Sequence, residues 1–305
     1  MNSGLIARWW QFLRERHDPF GISLMVAAFF GANTVMAWPA VDRSPPDWAR
    51  LGAGYVLLWL CFLHMRLFDE VKDYAVDREF NPERPLARGL IALTEFGVGT
   101  LLCILVEVVL AAYLGWAVVV SYVFLLCFTL LMRLEFFVGD WLRPRLELYA
   151  ITHTFSATML GLLIHAVATG KQPAQADGAF LAVALGNWFV FNVFEFGRKT
   201  FGRDEEREGV DSYSSRLSPA GAVALLGGNV AIAYALLWQG AVARFPTGCS
   251  GLLLYPGVVA ALTVVAGMYY IAVPDRSGAK LYRGTVTFYL LAYHLAILLG
   301  WYGAA

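Results

Sequence analysis

The sequence predicts an all-α, polytopic membrane protein with nine transmembrane helices, and three observations carry that expectation. Of 305 residues, 59% are hydrophobic and only 15% charged, too little polar surface for a water-soluble domain of this size. Apolar runs of roughly 20 residues, long enough for a hydrocarbon layer about 30 Å thick, fall near 20–41, 50–72, 92–114, 115–134, 146–168, 178–200, 218–241, 251–273 and 283–303. The basic residues are lopsided. With the N-terminus in the cytoplasm, all 23 Lys and Arg residues fall on that side except Arg43, Arg50, Lys171 and Arg244, as the positive-inside rule requires. The C-terminus is then expected on the opposite side. Merging the third and fourth runs, joined only by Leu114-Gly115, would scramble this partition, so the expected count is nine.

No soluble domain or low-complexity tract interrupts the chain, which reads as one integral membrane domain over 1–305. The formal charge of zero gives no support for a nucleic-acid partner. Residues 1–19 contain no continuous apolar core, so an interfacial helix is expected there rather than a removable signal peptide. Trp9, Phe12 and Leu13 would face lipid, with Arg8, Arg14 and Arg16 reaching headgroups. Cys61, Cys103, Cys127 and Cys249 show no metal-ligand spacing among themselves and read as packing residues.

Two polar segments stand out. The first, over 66–91, follows the second span and carries Asp69, Glu70, Asp73 and Asp77. A spacing of four sets Asp69, Asp73 and Asp77 along one helix face. Like charges so placed repel, more so beside a membrane of low dielectric. A divalent cation such as Mg²⁺ relieves the repulsion, since it takes one or two carboxylates and fills its shell with water and phosphate oxygens. A solvated face balanced by Lys72, Arg78 and Arg84 is the plainer reading, but ionisable groups at a membrane span are functional by default. Asn81-Pro82 should end the helix.

The second segment, over 192–219, follows the sixth span. Asn192, Glu195 and Lys199 share a face, with Arg198 alongside. Glu195 and Lys199 have the spacing of a local ion pair. Alternatively, Glu195 is a metal ligand while Arg198 and Lys199 grip phosphate oxygens. The charged run from Asp204 to Glu208 reads as a solvated loop, bounded by Gly209 and Ser218-Pro219.

Nine spans with polar motifs after the second and sixth resemble the UbiA superfamily of intramembrane prenyltransferases. That family carries an N-D-x-x-D-x-x-x-D motif followed by a loop reading N-R-P-L-x-x-G. Here Asp69 stands at the Asn, Glu70 at the first Asp, Asp73 and Asp77 at the others, and Arg84-Pro85-Leu86 matches the loop. The family's second motif, D-x-x-x-D, is altered: the helix face offers Glu195 and Lys199, and an alternative alignment offers Phe201 and Glu205. The resemblance implies nine helices around a central lipid-open cavity, with the active site on the cytoplasmic side. It further implies Mg²⁺ held by Asp69, Glu70, Asp73, Asp77 and Glu195. Lys72, Arg84, Arg143, Arg145, Arg198 and Lys199 would bind the diphosphate of an allylic isoprenoid. Asp73, Asp77 and Lys199 would be catalytic, with Lys199 standing in for one metal ion, and the prenyl group would pass to a lipophilic or aromatic acceptor. A terpene cyclase would need the same ionising site, and a non-catalytic lipid- or ion-binding or transport protein would keep only the fold.

Three further residues are singled out. His64 and Arg66 flank the acidic stripe and are placed to orient it. Glu107 lies mid-membrane, where a charge must find a partner or be neutralised, and the sequence does not name that partner.

Overall fold

A computed structural model of the chain describes residues 4–38, 47–207, 211–246 and 248–302. Arg43, Glu208 and Gly209, and the end of the expected first span at 39–41, lie outside the described residues. The helices are α1 (Leu5–Arg16), α2 (Pro19–Ala37), α3 (Trp48–Lys72), α4 (Tyr74–Phe80), α5 (Leu93–Leu114), α6 (Trp116–Arg133), α7 (Gly139–Leu142), α8 (Leu146–Thr154), α9 (Ser156–Thr169), α10 (Gly178–Arg198), α11 (Tyr213–Arg244), α12 (Ser250–Ala272) and α13 (Arg276–Tyr302). Counting the nearly continuous α8–α9 as one, nine of the described helices or helix pairs are long and apolar enough to cross a membrane. The sequence predicted that number.

These nine close into a ring. Each packs on the next in chain order, from α2 through α3, α5, α6, α9, α10, α11 and α12 to α13, and α13 returns to α2. Sequence-adjacent helices joined by short loops pack antiparallel, so this closed order is the simplest one available. Large apolar side chains such as Leu101, Leu102, Leu105 and Val109 of α5 point outward, which fits a bilayer as solvent. Polar loops gather at the two ends.

Local chemistry sets the helix ends. Asp18, Asp47 and Asp177 cap α2, α3 and α10 by accepting the backbone N–H three residues on. The division between the third and fourth spans falls at Gly115, whose φ of 107° ends α5 and starts α6. A side chain would strain there. α11 starts at Tyr213, earlier than the expected 218, because Ser218 (φ 66°) before Pro219 kinks the chain without ending the helix. α13 likewise begins at Arg276 rather than 283.

The N-terminal helix forms, but Trp9, Phe12 and Leu13, expected against lipid, pack on the bundle. Phe12 is fully buried, and Trp9 and Phe12 lie on Phe96 of α5 with ring centroids 5.5 and 5.3 Å apart. Arg8 pairs with Glu95 at 2.8 Å and Arg16 with Glu70 at 2.6 Å. Aromatic packing with two ion pairs holds α1 against the bundle more specifically than headgroups would.

At the end of the bundle away from the acidic segment, Arg50 donates to the carbonyls of Leu114 (2.8 Å), Val167 (2.6 Å) and Ala166 (3.3 Å). One guanidinium thereby caps the C-termini of α5 and α9, where carbonyls lack intrahelical partners and the dipole favours a cation. Arg50→Ala should therefore destabilise the fold by about 2–3 kcal/mol, the scale of charge-assisted bonds lost from partly buried acceptors. Unfolding in mixed micelles of increasing denaturing detergent measures it, and an unchanged midpoint would refute the capping role.

Candidate active site

Where α2, α3, α10 and α13 come together, they enclose a cavity of about 990 Å³. Its wall is apolar and aromatic: Met25 from α2, Phe62 and Met65 from α3, Phe191 and Phe194 from α10, Phe288 and Leu291 from α13. Its mouth is not. Arg66 and Asp69 of α3, Arg198 of α10, and Lys280 and Arg283 of α13 line it together with His17. Four cations and one carboxylate therefore surround an opening onto a greasy chamber.

The acidic segment supplies that mouth, though not as one stripe. α3 ends at Lys72, and Asp73 (φ −87°, ψ −1°) is the hinge into the short α4. The backbone bonds from Asp73 N–H to the Asp69 carbonyl (2.9 Å) and from Asp77 N–H to the Asp73 carbonyl (2.8 Å) survive. The turn therefore continues while its axis bends. Asp69 faces the cavity, its side chain 46% exposed, and accepts from Lys72 at 3.1 Å. Lys72 also donates to the Tyr149 hydroxyl at 3.0 Å.

The neighbouring acids are committed elsewhere. Glu70 is buried and receives Arg16, and Asp77 is buried and receives Arg84 at 2.6 Å and Asn81 at 3.1 Å. Asn81 ends α4, as expected. The bond from Arg84 to Asp77 closes the following loop, and it raises the Arg84 pKa. Asp73 is half-buried and makes no side-chain hydrogen bond among the described residues. Desolvation holds its pKa above the ordinary aspartate value of 3.8, and Asp69 and Asp77 push the same way against Lys72 and Arg84.

On α10, Glu195 is held by Arg198 at 2.6 Å, with Lys199 at 3.7 Å. The local ion pair read from the spacing is thus present, shared between two cations. Desolvation lowers the Lys199 pKa despite Glu195. Arg198 alone of this trio lines the cavity. Arg143 pairs with Glu135 at 2.8 Å, and Arg145 donates to the Trp141 carbonyl and stacks over that ring at 4.2 Å. Neither lines the cavity. No three of Asp69, Glu70, Asp73, Asp77 and Glu195 bring carboxylate oxygens within 4.8 Å of one another.

Lys280, Arg283 and His17 line the mouth, and the sequence reading assigns none of them a site role. Lys280, Arg283, Gly284 and Thr287 recur at i, i+3, i+4 and i+7, one face of α13, and that face lines the cavity. The sequence analysis counts these two cations only among the positive-inside residues. Arg283 is held by Glu205 at 2.7 and 2.8 Å and donates to the Thr200 carbonyl at 2.9 Å. Glu205, the acid offered by the second alignment of the altered motif, therefore braces a mouth cation. His17, between α1 and α2, is 3% exposed with Nε2 unpartnered, and burial lowers its pKa to about 4. It is neutral near pH 7.

Among the described residues, nine membrane-length helices, four of them enclosing a cavity with a charged mouth, form a bundle of the UbiA fold. The chain is similar in structure to digeranylgeranylglyceryl phosphate synthase (TM-score 0.65, 14% identity, covering 97% of this chain and 99% of that one). It is also similar to the apo structure of a UbiA homolog from Aeropyrum pernix K1 (TM-score 0.64, 17% identity, covering 91% and 96%). No family model matches the sequence. No curated protein matches it either.

The raised pKa of Asp73 has a consequence for stability. Its folded-state pKa lies above its unfolded one, so just above pH 3.8 the folded chain keeps a proton that the unfolded chain has lost. Metal-free stability should then fall with rising pH until the folded group has also ionised. Asp73→Asn should abolish that decline and raise the melting temperature at neutral pH in the absence of divalent cations. Thermal scans in EDTA from pH 4 to 8 (values chosen to bracket the carboxylate range) test it, and parallel curves for both proteins would show that Asp73 is not desolvated.

Proposed function

We propose that the protein is an intramembrane prenyltransferase, ionising an allylic isoprenyl diphosphate and passing the prenyl group to a lipophilic or aromatic acceptor. The single observation that carries this reading is the cavity: an aromatic, apolar chamber whose only strongly charged end is cationic. An isoprenyl diphosphate has the same polarity along its length, an apolar chain ending in a polyanion. The likeness of fold to digeranylgeranylglyceryl phosphate synthase and to a UbiA homolog supports the same conclusion.

Arg66 is the residue best suited to the diphosphate. It lines the mouth one helical turn deeper than Asp69, half-buried, and makes no hydrogen bond or ion pair among the described residues. A guanidinium so placed lacks compensation unless an anion meets it. Lys280 likewise has no protein partner among the described residues, whereas Arg198 and Arg283 are held in place by Glu195 and Glu205. Together they would hold the diphosphate and stabilise it as the C–O bond breaks, which is catalysis by fixed charge. Phe62, Phe191 and Phe194 would shield the allylic cation from water and attract it through their ring faces.

The acids fit a single Mg²⁺ better than a cluster. Asp69 faces the cavity, Asp73 is uncommitted one turn on, and Mg²⁺ takes one or two carboxylates with the rest of its shell left to phosphate and water. Glu70, Asp77 and Glu195, neutralised by arginines, would brace the site rather than ligate. Bound Mg²⁺ supplies charge to the leaving diphosphate. Lys72 orients Asp69, and Lys199 shares Glu195 with Arg198.

A direct assay follows. Purified protein with Mg²⁺ and prenyl diphosphates of several lengths, supplemented with membrane lipid extract, should release pyrophosphate. Asp73→Ala should cut that release at least about 10–100-fold, a loss that even an outer-shell partner of a metal can cause. Arg66→Gln should weaken inorganic pyrophosphate binding by about 1.5–3 kcal/mol, roughly ten- to a hundredfold. Turnover with no chain length, in wild type, would leave a lipid-binding or transport protein on the same fold. Tight pyrophosphate binding unaffected by Arg66→Gln would move the anion seat elsewhere.

A further inference from the structure

Away from the cavity, α3, α5 and α6 enclose a second polar cluster inside the membrane-spanning bundle. Cys61 and His64 are three residues apart on α3, Cys103 and Glu107 four apart on α5, so each pair shares a helix face and the two faces meet. Cys61, His64 and Glu107 are all 0% exposed, and one donor atom from each lies within 4.8 Å of the others. Cys103 Sγ is 3.5 Å from Glu107 Oε1. This is the partner that the sequence could not name for Glu107. Reading the cysteines against one another missed it, because Cys61 is matched with a histidine.

The hydrogen bonds do not fix the histidine's tautomer. The Thr129 hydroxyl lies 3.0 Å from the Leu126 carbonyl and 3.1 Å from His64 Nε2 and can donate to either. The opposite nitrogen, Nδ1, faces both Glu107 oxygens at 2.8 and 2.9 Å. Tyr122 donates to the same carboxylate at 2.7 Å. Without a metal, a proton on Nδ1 donated to Glu107 satisfies the pair. Two thiols beside the pair have no use in that account, whereas sulfur, imidazole nitrogen and carboxylate together are a donor set for a zinc-type ion.

We propose that Cys61, His64 and Glu107 bind a zinc ion, with Cys103 in reach as fourth donor. Coordination displaces the proton between His64 and Glu107 and that of the Cys61 thiol. Zn²⁺ with one thiolate, one carboxylate and a neutral imidazole has no net charge, which suits a low-dielectric interior. Zinc-ligand bonds of about 2.0–2.2 Å in tetrahedral array need nitrogen and oxygen about 3.4 Å apart. The ring and carboxylate therefore separate by roughly half an ångström on binding. Thr129 and Tyr122 hold the two ligands from outside, as partners of ligating histidines and carboxylates do. The ion ties α3 to α5 below the cavity mouth. It neither rests on the prenyl-transfer reading nor takes part in that chemistry.

The test uses full-length, tag-free protein grown with added zinc, purified in detergent and dialysed against EDTA. Elemental analysis should find about one zinc per chain, retained because every donor is buried. Cys61→Ser/Cys103→Ser and Glu107→Gln should each reduce it several-fold, while Cys127→Ser/Cys249→Ser leaves it unchanged. Growth on cobalt should give a thiolate-to-cobalt charge-transfer band in the wild type. Wild-type protein with no bound metal after both growths overturns the proposal, leaving a proton shared by His64 and Glu107. Zinc retained by the Cys61→Ser/Cys103→Ser variant overturns it too. Should the variants fail to fold, the wild-type zinc content and cobalt band still decide.

Discussion

A charge inside a bilayer is so poorly solvated that it must be matched, neutralised or moved to the edge, and this requirement organises the whole bundle. Glu70 with Arg16, Asp77 with Arg84, Glu195 with Arg198 and Glu205 with Arg283 are all pairs near one end of the ring. At the other end Arg50 is matched by helix carbonyls. Glu70 with Arg16 and Glu205 with Arg283 join segments far apart in the chain and hold α1 and the α10–α11 connection against the helices, while Asp77 with Arg84 closes the α4 loop. Residues left without such partners are then informative. Arg66 meets the cavity half-buried and Asp73 lies half-buried beside it, and on the proposed reading a ligand would complete each.

Most of the fold was legible because hydropathy and charge are strong, local signals in a membrane protein. All nine spans follow from apolar runs, and Gly115 and Asn81-Pro82 mark ends that the structure confirms. Side-chain partners were less legible, since a spacing of four states which face a residue occupies but not what lies opposite. Asp69, Asp73 and Asp77 keep their spacing, yet the bend at Asp73 turns Asp77 toward Arg84 and leaves Asp69 at the cavity. Glu70 is taken by Arg16, 54 positions earlier in the chain. Trp9 and Phe12 were assigned to lipid because amphipathic helices bind interfaces and protein surfaces by the same pattern. Which of the two it meets depends on Phe96, and only the tertiary structure places that ring.

The altered second motif changes the electrostatics of the mouth rather than merely weakening it. With Glu195 neutralised by Arg198 and Lys199, negative charge facing the cavity comes down to Asp69, while Arg66, Arg198, Lys280 and Arg283 bring positive charge from three helices. On the proposed reading, a diphosphate departing from a mouth of this composition would be stabilised chiefly by guanidinium and ammonium groups, with one cation at Asp69 and Asp73. Such an arrangement divides the pH behaviour between two kinds of residue. Arginine stays protonated at any pH the protein survives, so the anion seat is constant. Asp73, raised by desolvation, regains its proton above the ordinary aspartate value as pH falls. If the proposed reading holds, acidification would weaken metal binding before it disturbed anion binding, and the two contributions to leaving-group stabilisation would separate along the pH axis.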